Sequence, residues 1–457
     1  MDLSNGVIPD PAPPDPAPPA SAPQANAPAP PPHRRRNMAL LAAASAADNT
    51  ETSVVSVLFP AVQSALGLSL SALSWLVAGA KLTGVATGPL WVAVSRRTSR
   101  TFVLGVCTAG AGAFIAGVGA SQNFAQLIVL HLAAAAGFAG VAPLAAALVG
   151  DMYGDNRRGR AMGYLYGSLA LISAASAPLF GQLSHFGDGW RWGYTICGVL
   201  CVLVGLALLV FFRDPGIGAS DLCATDLGAA TPPPDREPER AIRWADVTRL
   251  LTIRSFVLIL LQRLLSTQLL FVAFGVVFLV QVLGFSNAQA SLAMLPYGAG
   301  YFLGTIVGGH ITDRVHRRYP VRGRVAVFQL AHAAFAAVAF VATQFPWHSL
   351  VVVAALFAVL GGLQGVTPVV QTPMVMAVVP LELRALAFAL KLSVMDAIGW
   401  VVFTLSAGYL GDRIGLRETF FWLLVVVMVA NAAFISLFYR PYARDCARLS
   451  APVTAPA

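Results

Sequence analysis

The sequence predicts an all-α polytopic membrane protein with twelve transmembrane helices in two six-helix pseudo-repeats. The first observation is composition: of 457 residues, 57% are hydrophobic and only 11% charged. Soluble domains carry about a quarter charged residues, and the mean hydropathy here is +0.71. The second is segmentation into apolar stretches of roughly 18 or more residues, the length that crosses a bilayer as a helix. The third is a repeat: "LGLS" (Leu66–Ser69) recurs as "LGFS" (Leu283–Ser286) at an offset of 217 residues. The ~10-residue alternating segments of a membrane β-barrel are absent.

Gly, Pro and charge clusters place the spans near 38–64, 72–95, 102–120, 124–150, 160–184, 191–212, 255–283, 288–312, 324–343, 349–378, 385–410 and 418–439. Around them the chain divides into a Pro/Ala-rich tail (1–36), a first bundle (37–212), a linker (213–253), a second bundle (254–440) and a C-terminal tail (441–457). The first tail has nothing to bury, so disorder is expected. No short apolar core precedes a cleavage site, so it does not read as a secretory signal. The linker ends in "AIRWADVTRLLTIRS", which reads as an amphipathic helix on the membrane surface.

Orientation follows from the cations. With the N-terminus inside, cytoplasmic segments hold 24 of the 30 Lys and Arg residues, and external loops hold only Arg191, Arg413 and Arg417. This asymmetry predicts an even number of spans with both termini cytoplasmic, in a plasma or inner membrane. The net charge of +9 is therefore spread over loops and does not predict a nucleic-acid partner. The five cysteines form no metal spacing and read as small apolar fillers or free thiols.

The same offset of 217 lays "VAVSRRTSRT" after span two onto "GHITDRVHRR" after span eight. Duplicated halves joined by a polar linker predict a transporter with its substrate site between the halves near the midplane. "GHITDRVHRR" is similar to the signature loop of the major facilitator superfamily, with Gly309, Asp313, Arg314, Arg317 and Arg318 at matching positions. Small residues let helices approach, and an acid at a helix end faces a cation or a helix terminus. In the family this loop helps lock one state of the cycle. The first-half copy departs: Val92 replaces Gly, Arg96 replaces the acid and Ser99 the second Gly, while Arg97 and Arg100 remain.

Other stretches resemble the drug:proton antiporter branch. "ETSVVSVLFP" puts Glu51 at the first-span acid position; "LHLAAAAGFAG" puts His131 where the family has an Arg linked to proton transfer. "SAASAPLFGQ" keeps Pro178 and Gly181 of the antiporter motif, with Ala177 and Gln182 replacing glycines. The resemblance implies export of a small molecule in exchange for protons, by a monomer, with no cofactor beyond the proton gradient.

An ionisable side chain at mid-bilayer is costly unless it faces a cavity or a partner, so each is a functional candidate. Asp48 and Glu51 share a face of span one at i and i+3. Two carboxylates this close do not both ionise readily in a poorly solvated site, which suits a group that takes up and releases a proton. The alternative is a pair locked to a cation for packing. Candidate partners are Lys81, Arg263 and Lys391; His131 and Asp396 complete the set, and Gln268 is the repeat mate of Glu51. A proton-linked importer of an organic anion, or a lysolipid-type carrier, is the other reading within this fold. A membrane-embedded enzyme would need a nucleophile–base set or metal cluster, and neither that spacing nor a Gly-rich nucleotide loop is present.

Overall fold

The computed structural model describes residues 33–153, 155–183, 186–214, 216, 244–320 and 322–450. The Pro/Ala-rich segment 1–32 and most of the linker lie outside them. Twelve helical rods follow in order. Spans one to three are Arg34–Leu66, Leu70–Arg97 and Arg100–Val118. Span four is Phe124–Phe138 with Val141–Met152, span five Asp155–Gln182, and span six Gly189–Phe211. Span seven is broken into Arg254–Leu264 and Leu270–Gln281. Spans eight to ten are Asn287–Arg318, Arg322–Gln344 and Leu350–Val378. Span eleven runs from Arg384–Ala389 through a π-helical stretch, Leu390–Met395, into Asp396–Ile414. Span twelve runs from Leu416–Phe420 through another, Phe421–Val426, into Val427–Ile435.

Among the described residues nine helices are long and apolar enough to cross a membrane. Spans one, five and eleven, outside that nine, carry polar or charged residues within the rod. Asp48 and Glu51 interrupt the first, "DNRRGR" opens the second, and Lys391 and Asp396 sit in the third.

The repeat has a structural basis. Gly67 and Gly284, 217 residues apart, both adopt positive φ (63° and 75°), a backbone conformation that costs any residue with a Cβ. Each ends its helix so that a serine can begin the next one. Ser286 begins span eight in a capping box with Gln289. Ser69 begins span two without a cap bond of that kind; its cap comes from the other half, as described below.

Within each half, small residues bring backbones together. A Cβ on Gly300 would lie 1.9 Å from the Ala358 carbonyl, and one on Gly361 2.0 Å from that of Tyr297, so spans eight and ten touch main chain to main chain. Gly112 and Gly198 do the same for spans three and six. This is how apolar helices gain packing energy where lipid offers no hydrophobic drive. Gly309 of the signature loop has no atom within 4 Å of its Cβ position. In this arrangement it makes none of the close approaches for which a small residue is expected there.

Two short helices lie at the end of the bundle that carries the termini. One is Trp244–Thr252, where the amphipathic helix was expected. The other, Tyr439–Ser450, continues the chain through most of what reads as a C-terminal tail. Span one likewise starts at Arg34, so the basic end of the first tail is helical. Asp445 anchors the C-terminal helix: its Oδ2 accepts from the Ser255 amide (2.9 Å) and hydroxyl (2.6 Å) at the start of span seven, where a carboxylate complements the helix dipole. The three arginines at the opposite end also find partners. Arg191 donates to the Gly119 and Ser121 carbonyls, Arg413 lies over the Tyr409 ring, and Arg417 reaches the Gln344 carbonyl.

Candidate functional site

A cavity of about 1220 Å³ lies between the halves. Asp48, Glu51, Lys81, His131 and Phe138 line it from the first half, and Leu269, Asp396 and Trp400 from the second. Its wall continues along span two, past Gly84, Gly88 and Pro89, to Arg96 and Arg97 at the end that carries the termini. At the other end the halves are joined. Gln281 donates to Gln63 across spans seven and one. Gly408 of span eleven packs on Ser74 of span two, and Gly181 of span five on Ser291 of span eight, each too close for a Cβ. Asp412 of span eleven accepts from the amides of Leu70 (2.7 Å) and Ser71 (2.9 Å) and from the Ser71 hydroxyl. The cap that Ser69 does not supply to span two thus comes from the opposite half.

The carboxylate pair divides its partners. Glu51 is buried, and His131 Nδ1 of span four lies 2.8 Å from its Oε1. Among the described residues neither atom makes a hydrogen bond in this conformation, and His131 Nε2 is also unsatisfied. Both side chains are poised for a bond that a small rotation, a water or a ligand completes. Asp48, one turn away, is half-buried on the cavity wall. Lys81 is exposed to the cavity and makes no ion pair among the described residues.

In the second half, Arg263 Nε of span seven donates to Asp396 Oδ1 of span eleven. Asp396 lies where the π-helical stretch returns to α-helix, and π-bulges of this kind concentrate at functional sites. Lys391, buried within the same stretch, lies close enough to Arg263 and Asp396 to feel their charges. Gln268 is placed apart from the cavity. It is buried in the break of span seven, where its Oε1 accepts from Thr367 (3.4 Å) and its Nε2 has no partner among the described residues. Leu269, the next residue, is the one that lines the cavity.

The signature-loop residues separate. Asp313, Arg314, Arg317 and Arg318 are exposed at the end of span eight and form no ion pair among the described residues; Arg318 lies beside Tyr319. In the first half, Arg100 joins Asp151 of span four (2.5 Å) and Asp214 beyond span six (2.8 Å). Arg96 and Arg97 form the cavity mouth. Pro178 lies within span five and Gly181 at its cross-half contact.

Sequence reasoning named both Glu51 and His131 without pairing them. It missed Asp412, Asp445 and a buried polar cluster about the break in span seven. There Gln262 donates to Asn431 (3.2 Å), contacts His332 (3.2 Å) and accepts from Gln371, while Asn431 holds the Leu265 carbonyl that the break exposes. The available signal was polar side chains on several helices, each isolated in an apolar run. Nothing in the sequence says that they converge.

The family model described as Major Facilitator Superfamily matches residues 38–390 and 256–452. The chain belongs to the major facilitator superfamily. It is therefore a transporter and not an enzyme. A Streptomyces lividans protein named as a chloramphenicol resistance protein is 28% identical over 281 residues, covering 60% of this chain and 66% of that protein. A Macrophomina phaseolina MFS-type transporter is 24% identical over 287 residues, 57% of this chain and 54% of its own length. The chain thus matches about half of the one protein and two-thirds of the other. Among solved structures, a bacterial homologue of the human lysosomal transporter Spinster, inward-facing and occupied, superposes with a TM-score of 0.72 at 18% identity. The match covers 91% of this chain and 97% of that one.

Proposed function

We propose that this facilitator exports a small amphiphilic or drug-like compound in exchange for protons, as a monomer in the plasma or inner membrane with both termini cytoplasmic. The observation that carries the reading is the Asp48–Glu51 pair on the wall of a cavity between the halves, with His131 at 2.8 Å from Glu51. A ligand entering that cavity meets Trp400, Phe138 and Leu269 for its apolar body, and carboxylates for a polar group or a proton. Exchange requires substrate and proton to compete for one site, and two close acids supply such a site. On the positive-inside orientation the cavity faces the cytoplasm, the side from which an exporter loads. The resistance phenotype in the Streptomyces relative's name accords with export.

The test uses proteoliposomes and a panel of cationic, neutral and anionic amphiphiles, with and without an imposed pH gradient. Gradient-driven accumulation of at least one compound that Glu51→Gln abolishes, while counterflow persists, is the expected result. Wild-type gradient dependence in Glu51→Gln overturns the role of Glu51.

One observation favours a second reading, proton-linked movement of an organic anion. Lys81, which makes no ion pair among the described residues, and Arg96 and Arg97 all line the cavity wall along span two, from mid-depth to the mouth. Under that reading the anionic members of the panel are preferred, and Lys81→Gln removes the preference.

A further inference from the structure

The charged side chains on the cavity wall sort by the partners they already have. Asp396 is held by Arg263 of span seven, and Glu51 faces His131 at 2.8 Å. At mid-depth two remain, one acid and one base. Asp48 on span one and Lys81 on span two make no ion pair among the described residues, with each other or with any other group.

The two lie at one depth. Asp48 is about 21 Å along span one from Arg34, and Lys81 about 22 Å along span two from Arg96 at the same end, at about 1.5 Å per residue. Asp48 is near enough to Lys81 to feel its charge, yet the side chains stop short of a salt bridge. Arg96 and Arg97, roughly 20 Å away at the mouth, are beyond the reach of a small molecule held here. The second half offers a wall of another kind, with Trp400 of span eleven and Leu269 of span seven. The acid and the base thus stand on spans one and two, and the apolar surface on spans seven and eleven.

We infer that the cavity takes a zwitterion: a small amphiphile whose amine meets Asp48, whose carboxylate or phosphate meets Lys81, and whose apolar body lies against Trp400 and Leu269. This narrows the substrate class of the exporter proposed above and rests on the cavity being its transport site. Selection works by rejection as much as by attraction. A simple cation that reaches Asp48 leaves the Lys81 ammonium facing it, and a simple anion on Lys81 faces the acid. Only a ligand carrying both charges gives each side chain a charge-assisted hydrogen bond. Its amine takes the place of the proton on the Asp48–Glu51 pair, as exchange requires. A zwitterion carries no net charge, so its exchange for one proton moves charge across the membrane, whereas that of a monocation does not.

The experiment keeps one apolar body and changes its charges: naphthylalanine carries both, naphthylethylamine the cation, naphthylpropanoate the anion and naphthylpropanol neither. Binding to the full chain in nanodiscs is measured by calorimetry near neutral pH. Naphthylalanine is expected to bind at least about tenfold more tightly than the other three, the size of one charge-assisted hydrogen bond. Asp48→Asn should bring naphthylpropanoate level with naphthylalanine, and Lys81→Gln should do the same for naphthylethylamine. Binding of either singly charged compound to the wild type as tightly as naphthylalanine overturns the inference, the amine marking a plain cation site and the propanoate an anion site. So does a preference that neither variant moves, or an absence of naphthylalanine binding. Uptake of naphthylalanine into proteoliposomes under a pH gradient is measured separately. Binding with the expected preference but without proton-driven movement overturns the export reading and leaves the zwitterion site standing.

Discussion

Asp412 offers a sharp test of how the halves are held together. Its carboxylate belongs to span eleven, yet it caps the first turn of span two through the Leu70 and Ser71 amides and the Ser71 hydroxyl; the Ser69 hydroxyl also engages it. The contact exists only while the halves meet at this end, so it weights one state of the cycle and is lost in the other. An N-cap side chain contributes about 1 kcal/mol, with a range of about 0.5–2, over alanine. The side chain is exposed, so water recovers part of the loss and a value near 1 kcal/mol is appropriate. Asp412→Ala should shift the equilibrium about fivefold toward the state open at this end. Distances between spin labels at Ala65 and Ser349, exposed positions on opposite halves at this end, report it by pulsed dipolar spectroscopy. The long-distance population should rise several-fold in Asp412→Ala. Asp188→Ala, which removes an acid whose 3.7 Å contact with Arg191 stays within one half, should leave it unchanged. Identical distributions in wild type and Asp412→Ala refute the reasoning.

Three further outcomes follow from the same geometry. Gly300→Ala forces a methyl against the Ala358 carbonyl, and overpacking of this kind costs about 1–3 kcal/mol; thermal unfolding in detergent should show it, while Gly309→Ala, with open space, should unfold like wild type. Arg263→Met alone strands the Asp396 carboxylate, which is less than a fifth exposed, and breaking a buried pair costs about 3–5 kcal/mol; Arg263→Met with Asp396→Leu should recover most of that stability in the same assay. Under proton exchange, substrate binding displaces protons from the Asp48–Glu51 site, so calorimetry in buffers of different ionisation enthalpy should register proton release, and Glu51→Gln should reduce it.

The fold was legible because its causes are one-dimensional. A bilayer requires long apolar helices, and duplication leaves a constant offset; both survive as patterns along the chain, down to the paired turns at Gly67 and Gly284. The cavity acids were legible for a related reason, since a charge inside an apolar run has few structural excuses. Partners were not legible. Arg263 pairs with Asp396, 133 residues on, and Asp412 caps a helix 342 residues earlier. Such pairings depend on how helices rotate about their axes, and a six-residue π-helical stretch at Leu390–Met395 changes that rotation for everything after it. Gln268 shows the same limit. The repeat places it opposite Glu51, but the break in span seven turns it into the second bundle, toward Thr367.

His131 carries the last argument. The resembling pattern has an arginine at this position, a permanent cation, whereas the side chain here is an imidazole, 2.8 Å from Glu51; imidazole as a class is not a permanent cation. Histidine therefore places a second ionisable side chain within 2.8 Å of the Glu51 carboxylate. His131→Arg keeps a positive partner for Glu51 and removes one titration. If the imidazole serves the coupling step, His131→Arg supports counterflow at the wild-type rate, while its gradient-driven rate follows a single ionisation in place of two. If the histidine only fills space between spans one and four, the longer side chain disturbs packing and lowers counterflow and driven transport alike. The ratio of the two rates across pH, measured in the same vesicles, separates these outcomes. An unchanged pH profile with unchanged counterflow removes His131 from the mechanism and leaves Glu51 and Asp48 to carry it.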